Sequence, residues 1–307
     1  MSIPLGNPLR NPLRNPQRNS QRNWRRKGKS CQYAQSVCAP SSEEVLLACG
    51  LSGVRTMSLN TGRLSAHEPF NLRDVWGHWG AAYDAHTDTL LLLVTAENRW
   101  QRASLVSLRR NASEWLEVQR LNTEIIYYDV HMAVCDSIVL LGANNVATLT
   151  VFEVSANHSL HDVGNVTLPQ HIRIQFFRGL ACTRRDNDTL VAIINGASMS
   201  LLLLAPSLPL RLEPLASVNY LNSRTYPSSL LFRGDLLLVA EWNAITETHD
   251  IVSLRASGNE SLTERRLLLE EGKSVGVRDW TLAGDRLVVI EWQWDLEWDN
   301  LLLFDFV

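Results

Sequence analysis

The chain has 307 residues, of which 45% are hydrophobic and 20% are charged, and its formal net charge is −3. This length and composition allow a sizeable core, either in two average domains or in one large all-β domain. The longest apolar run, residues 199–210, contains two prolines and is too short to span a bilayer, so we predict no membrane partner.

Residues 1–30 form a basic segment that differs from the rest of the chain. Five tetrapeptides that begin with Asn and end with Arg follow one another over residues 7–26, and the segment holds eight Arg and Lys residues and no acid. Its charge of +8 leaves −11 for residues 31–307 of a chain whose total is −3. Because the segment has few apolar residues to bury, we predict a disordered arm over 1–30 and a folded domain over 31–307.

The cysteines and the sequons point to different compartments. The five cysteines are an odd number without a C-x-x-C pair, which disfavours both disulfides and a zinc site and favours an intracellular protein of the cytoplasm or nucleus. Secretion is the less favoured alternative, although N-x-S/T sequons occur at Asn111, Asn157, Asn165, Asn187 and Asn259. Asn and Ser are also common turn residues, so the sequence leaves glycosylation open.

A repeat of about 50 residues runs through the folded part. A polar turn that ends in an acidic residue, followed by an apolar strand, recurs around Glu44, Asp88, Asp136, Asp188, Asp235 and Asp285. A second apolar strand follows each of these, over residues 54–59, 103–108, 148–154, 199–205, 250–255 and 300–306. More polar segments flank the pair, such as residues 80–85 before and 115–121 after.

Four short strands in each unit are typical of a β-propeller blade. Apolar runs of four or five residues between turns fit middle strands that are buried on both faces. We therefore predict an all-β fold, a β-propeller of about six four-stranded blades, with seven blades as the alternative. The sixth unit stops after its third strand, so either a segment near the N-terminus supplies the fourth strand or the chain lacks it.

The last tetrapeptide, Asn23–Arg26 (NWRR), precedes the first repeat. It resembles the linker ahead of the propeller in F-box proteins with WD repeats, although F-box helices and WD signatures are missing. The resemblance implies the substrate-binding propeller of a ubiquitin ligase receptor and an adaptor of that ligase as partner.

Aromatic and acidic residues cluster where second strands end and where the chain enters each blade. Glu241–Trp242 matches Glu291–Trp292 in register, and the entering segments add Arg278 and Asp279. Trp and Tyr dominate interface hot spots, and Trp attracts cations. We predict that a basic protein or peptide binds here, through Trp100, Glu241, Trp242, Glu291, Trp292, Trp294, Asp295 and Trp298.

The first functional prediction is therefore a non-catalytic interaction scaffold that needs no cofactor or metal. The sequence contains no G-x-S-x-G, H-E-x-x-H, P-loop or dinucleotide motif. The alternative is a calcium-dependent propeller hydrolase with Glu241 and Glu291 as ligands, although Val94, Gly142 and Ile194 occupy the matching positions of other blades. The third hypothesis, binding of nucleic acid or acidic surfaces by the arm, is disfavoured by the acidic body.

Overall fold

The computed structural model describes most of the chain from residue 31 onward. It covers residues 31, 34–65, 70, 72, 75–96, 102–112, 114–126, 130–144, 146–170, 172, 177–185, 188–205, 209–220, 225–245, 248–256, 262–267, 277–291 and 300–305. The predicted arm and the NWRR segment lie outside these ranges, so the domain boundary at residue 31 stays a prediction. No helix in the described ranges is long and apolar enough to cross a bilayer.

The described strands form six antiparallel sheets, each built from consecutive strands of the chain. Blade 1 consists of β1 (Ser36–Cys38), β2 (Glu44–Ala48), β3 (Val54–Ser58) and β4 (Arg63–Leu64). Blade 2 consists of β5 (Val75–Asp84), β6 (Thr89–Ala96), β7 (Arg102–Asn111) and β8 (Glu114–Ile126). Blade 3 consists of β9 (Val130–Cys135), β10 (Ile138–Ala143), β11 (Thr148–Val154) and β12 (Leu160–Thr167).

The other three blades follow the same order. Blade 4 consists of β13 (Phe177–Arg185), β14 (Asp188–Asn195), β15 (Ser198–Ala205) and β16 (Arg211–Asn219). Blade 5 consists of β17 (Thr225–Arg233), β18 (Leu236–Asn243), β19 (Thr248–Ala256) and β20 (Leu262–Leu267). Blade 6 consists of β21 (Val277–Ala283), β22 (Arg286–Glu291) and β23 (Asn300–Asp305).

The six sheets close into a ring. The first strand of each blade contacts the first strands of the two neighbouring blades, and β21 of the last blade contacts β1 of the first. We call these six strands the inner strands. The predicted all-β propeller of six blades is therefore confirmed, and the six predicted second apolar strands correspond to β3, β7, β11, β15, β19 and β23.

The core consists of six clusters of buried apolar residues, one between each pair of neighbouring blades. In β6, Leu90, Leu92 and Val94 pack toward blade 1, whereas Leu91 and Leu93 pack toward blade 3. A middle strand that is buried on both faces has no polar face, which explains the continuous apolar runs. Each such side chain contributes about 1.5–3 kcal/mol by its burial.

In the turn between the first and second strand of a blade, one residue has a left-handed backbone conformation. Asp88 and Asp136 have φ of 53° and 43°, and Gly234 and Gly284 have φ of 58° and 61°. Gly, Asn and Asp adopt this conformation most readily. The repeated acidic position is therefore part of a tight turn.

The ring closes between blade 6 and blade 1 by packing and by side-chain hydrogen bonds. All four strands of blade 1 are consecutive in the chain, and blade 6 has three strands within the described ranges. One apolar cluster joins Val45 and Leu47 of β2 to Val288 and Ile290 of β22. Neither a strand exchanged between the chain ends nor a fourth strand of blade 6 is seen among the described residues.

Two disulfides join cysteines that are distant from each other in the sequence. Cys31 pairs with Cys49 across 18 residues, and Cys135 of β9 pairs with Cys182 of β13 across 47 residues. The second bond links the inner strands of blades 3 and 4. By loop entropy the two bonds stabilise the fold by about 3 and about 4 kcal/mol, respectively. Cys38 is free and buried, and burial raises the pKa of its thiol, which makes it unreactive in the folded state.

The expectation of reduced cysteines in an intracellular protein is wrong. Four of the five cysteines are paired, and disulfides form and persist in oxidising compartments. Spacing along the chain does not show that two inner strands lie side by side, so the sequence did not reveal the pairing of Cys135 with Cys182.

We expect the chain to contain one reactive thiol when it is unfolded without reductant. Denaturation exposes Cys38, so alkylation followed by mass spectrometry should show one added group, and five after prior reduction. Alkylation of all five cysteines without reductant would contradict both disulfides.

Candidate active site at the mouth of the ring

One face of the ring carries the ends of the second strands and the beginnings of the inner strands. The register of β21 with β22 places Val277 opposite Glu291, and that of β17 with β18 places Thr225 opposite Asn243. We call this side the mouth face. The turns between first and second strands and between third and fourth strands lie on the opposite side, which we call the back face.

Four inner strands contain a β-bulge near the mouth face. Their pairing registers skip Trp76 and Trp79 in β5, Arg178 in β13, Ser228 in β17 and Arg278 in β21. A bulge places an extra residue in the strand and turns its side chain away from the regular alternation, and such bulges are common next to active sites.

Arg278 and Gln35 connect blades 6 and 1 at the mouth face. The Arg278 guanidinium donates from Nη2 to Gln35 Oε1 at 2.8 Å. Both side chains are half-buried, so they combine a fixed position with access to solvent. Because the bulge lies at Arg278, the guanidinium is held at the seam where the first and last inner strands meet.

Asp279 is the next residue and spans the same seam. Its Oδ2 accepts a hydrogen bond from the Val37 backbone N–H at 2.9 Å, and the Ser36 hydroxyl also bonds to the carboxylate. The same hydroxyl accepts the backbone N–H of Ala81 at 3.2 Å. Hydrogen bonds therefore run from blade 6 through blade 1 to blade 2.

Burial raises the pKa of Asp279 from 3.8 to about 6. Hydrogen bonds from Ser36, Val37 and Trp280 and the charge of Arg278 act in the opposite direction, but burial outweighs them. The carboxylate is therefore mostly ionised at pH 7 and is a stronger base than an ordinary aspartate. Such a group can accept a proton from water near neutral pH.

Glu241 lies farther round the mouth face, at the end of β18. Tyr220, which follows β16, donates its hydroxyl to Glu241 Oε1 at 2.8 Å. Glu241 and Tyr220 are only 6% and 7% exposed, so the bond is shielded from water. A buried carboxylate needs such partners, and this pair fixes the junction of blades 4 and 5.

His249 and Glu291 lie at the junction of blades 5 and 6. The His249 ring packs on Trp242 with centroids 4.9 Å apart, and the Val277 N–H donates to His249 Nδ1 at 3.4 Å. Glu291 stands opposite Val277 in the register and is 5% exposed. His249 and Glu291 therefore lie beside the beginning of β21, one strand position before the bulge at Arg278.

His78 is the other buried histidine of this face. It is 7% exposed, and burial lowers its pKa to about 4, so it is neutral at physiological pH. It is therefore a weaker candidate than Asp279 for proton transfer near pH 7.

The structure describes three of the eight residues predicted for the partner-binding surface. Glu241, Trp242 and Glu291 lie at equivalent strand ends of blades 5 and 6, as their matched register predicted. Trp100, Trp292, Trp294, Asp295 and Trp298 lie outside the described residues, and partner binding stays a prediction. The sequence placed Arg278 and Asp279 on this face but gave them no chemical role, because the burial of Asp279 comes from β1, far away in the chain.

The described residues do not provide a calcium site. They contain no group of three or more His, Cys, Asp or Glu side chains placed to hold a metal ion. Glu241 and Asp279 already accept hydrogen bonds from Tyr220 and Val37, whereas calcium needs six to eight oxygens. The described residues therefore do not fit the predicted calcium ion.

No protein-family model and no curated protein matches this sequence. Solved structures do match. The allergen Mala s 1 of Malassezia sympodialis has a TM-score of 0.60 at 10% identity over 89% of this chain and 92% of its own. The periplasmic gluconolactonase PpgL of Pseudomonas aeruginosa has a TM-score of 0.55 at 13% identity, over 89% and 85% of the two chains. A putative 6-phosphogluconolactonase from Bacteroides uniformis has 0.53 at 14%, over 82% and 74%.

These likenesses define the class of protein, a β-propeller, and at such identities they show the fold alone. The prediction that the protein is not an enzyme is nevertheless wrong as an inference from missing motifs, since proteins named as lactonases share this fold. The absence of the G-x-S-x-G, H-E-x-x-H, P-loop and dinucleotide motifs does not argue against an enzyme, because those motifs belong to other folds. Nothing in the structure or the comparisons supports the F-box or WD-repeat resemblance.

We expect Tyr220→Phe to destabilise the fold by about 1–3 kcal/mol, because a buried carboxylate loses a hydrogen bond. Urea denaturation measures the change. The matched control is Tyr226→Phe, since Tyr226 is 39% exposed and should tolerate the loss of its hydroxyl. Equal stabilities of both variants and the wild type would contradict the role of the pair.

The raised pKa of Asp279 predicts a pH-dependent effect on stability. Below pH 3.8 the Asp279 carboxyl is protonated in both the folded and the unfolded protein. Between pH 3.8 and about 6 it ionises only in the unfolded protein. The contribution of this group to stability is therefore present at low pH and is lost as the pH rises. Asp279→Asn, whose amide oxygen can still accept the Val37 N–H, should gain about 1–3 kcal/mol over the wild type between pH 4 and 7.

The control for this experiment is Asp285→Asn in the same blade. The Asp285 side chain is 88% exposed, so its stability difference from the wild type should not follow that profile. Chemical denaturation at several pH values measures both variants. A flat difference for Asp279→Asn would contradict the raised pKa.

Proposed function

We propose that the protein is a propeller hydrolase that opens cyclic esters of sugar acids at the mouth face. Asp279 is the general base, and Arg278 binds the carbonyl oxygen of the ester. The observation that carries the proposal is the half-buried Asp279 carboxylate, with a pKa near 6, beside a guanidinium that a bulge positions. The lactonase names among proteins of the same fold support the substrate class.

The reaction needs only groups that this site has. The Asp279 carboxylate takes a proton from water, and the hydroxide forms a bond to the carbonyl carbon of the lactone. Arg278 donates hydrogen bonds to the oxygen that gains negative charge, which lowers the barrier. The ring C–O bond then breaks, the alkoxide takes the proton back, and the product is an open hydroxy acid.

The ionisation of Asp279 sets the pH range of activity. A protonated carboxyl cannot accept a proton, so kcat/KM should fall about tenfold per pH unit below pH 6 and level off above it. Arg278 favours an ionised product, because the new carboxylate lies beside a permanent positive charge.

A non-catalytic scaffold is the weaker candidate. Glu241 and Glu291, two of the acids predicted to meet a basic partner, are 6% and 5% exposed. An acid at this depth contributes little to the attraction of a partner unless the surface opens, whereas Arg278 and Asp279 are partly exposed.

The test is hydrolysis of glucono-lactone and its 6-phosphorylated form, corrected for the spontaneous reaction. We expect Asp279→Asn to lower kcat about 100-fold or more and Arg278→Gln to lower kcat/KM about 10–100-fold. Asp285→Asn, a matched change on the back face, should leave the rate unchanged.

Two results would overturn the proposal. One is a wild-type rate no higher than the spontaneous one with either lactone. The other is wild-type activity that a chelator removes and calcium restores, since the mechanism uses no metal.

A further inference from the structure

Three of the five sequons have an asparagine within the described residues, namely Asn111, Asn157 and Asn165. All three side chains are exposed. Asn187 and Asn259 lie outside the described residues. Exposure is the first requirement for a bulky modification of an asparagine side chain.

The nitrogen that would carry a sugar is available in each of the three. Asn157 uses its Oδ1 as acceptor, from the Ser159 backbone N–H at 3.2 Å and from the Ser155 hydroxyl. Asn165 likewise accepts the Thr150 hydroxyl through Oδ1 at 2.9 Å. Among the hydrogen bonds of the described residues, none is donated by Nδ2 of these asparagines, so a substituent on that nitrogen breaks no bond.

Two of the three described asparagines lie on the back face. Asn111 ends β7 at the turn to β8, and Asn157 lies in the turn from β11 to β12, both on the back face. Asn165 lies on β12, the outer strand of blade 3, opposite Thr150 and near the end of β12 that approaches the mouth face.

The disulfides supply an independent observation. Cys31–Cys49 and Cys135–Cys182 require an oxidising compartment, and transfer of oligosaccharides to N-x-S/T asparagines belongs to such compartments. The chain therefore has disulfides that form in an oxidising compartment and exposed asparagines that can accept an oligosaccharide there.

We propose that Asn111, Asn157 and Asn165 are N-glycosylated. The donor is a lipid-diphosphate-linked oligosaccharide. Asn Nδ2 forms a bond to sugar C1, the bond from C1 to the diphosphate oxygen breaks, the lipid diphosphate leaves, and the amide proton passes to a base of the transferase. Glycans at Asn111 and Asn157 cover part of the back face, and a glycan at Asn165 covers the outer edge of blade 3. This inference does not depend on the proposed hydrolase activity.

The test is peptide mass spectrometry on the full chain, purified from the cells that produce it. Treatment with a peptide N-glycosidase in isotope-labelled water converts each glycosylated asparagine to labelled aspartate. We expect label at all three asparagines and a lower mass of the intact protein after treatment. Unlabelled, unmodified peptides for all three would overturn the proposal.

A matched pair of variants, made in a eukaryotic secretory host, tests the assignment of Asn165. Thr167 is exposed and completes the Asn165 sequon without altering the asparagine. Thr167→Ser keeps the sequon and should keep the glycan, whereas Thr167→Ala should lose that glycan alone. Retention of the glycan in Thr167→Ala would overturn the assignment.

Discussion

Closure of the ring between blade 6 and blade 1 is the constraint on which the rest of the structure depends. A middle strand such as β6 is apolar on both faces, so every blade needs a neighbour on each side. The first and last blades have each other as neighbours only if the ring closes. Within the described residues no strand is exchanged at this seam, and an apolar cluster together with the bonds of Arg278 and Asp279 joins the two blades.

This mode of closure explains the chemistry of the site. The seam brings a carboxylate into a half-buried position against the edge of β1, where the Val37 N–H needs an acceptor. Burial then raises the pKa of Asp279 into the range of a general base. Asp279, which accepts the backbone N–H at the seam, is therefore also the best candidate for the catalytic base. Replacing it by Asn would make the seam more stable but would remove that base.

Much of the fold could be predicted from the sequence. The strand predicted over 148–154 coincides with β11, and the spacing of the acidic turns gave six blades, because each blade repeats the same tight turn. The location of Glu241 and Glu291 at equivalent strand ends also followed from their matched register. These features are local, or they repeat along the chain, so a single sequence contains them.

The features that failed depend on contacts between distant segments. Val37 and Asp279 are 242 residues apart, and only ring closure brings them together. The pairing of Cys135 with Cys182 needs the inner strands of two blades side by side. Four residues at Asn23–Arg26 were too few to carry the F-box resemblance, and they say nothing about the chemistry of the ring.

The ionisation of Asp279 in the folded protein is the most direct test of this account. Carboxyl ¹³C NMR, with the Asp279 signal assigned by its loss in Asp279→Asn, follows that ionisation as the pH changes. We expect a midpoint near pH 6 in the native state. A midpoint near 3.8, the value of an unperturbed aspartate, would show that the carboxylate is neither buried at the seam nor suited to act as the base.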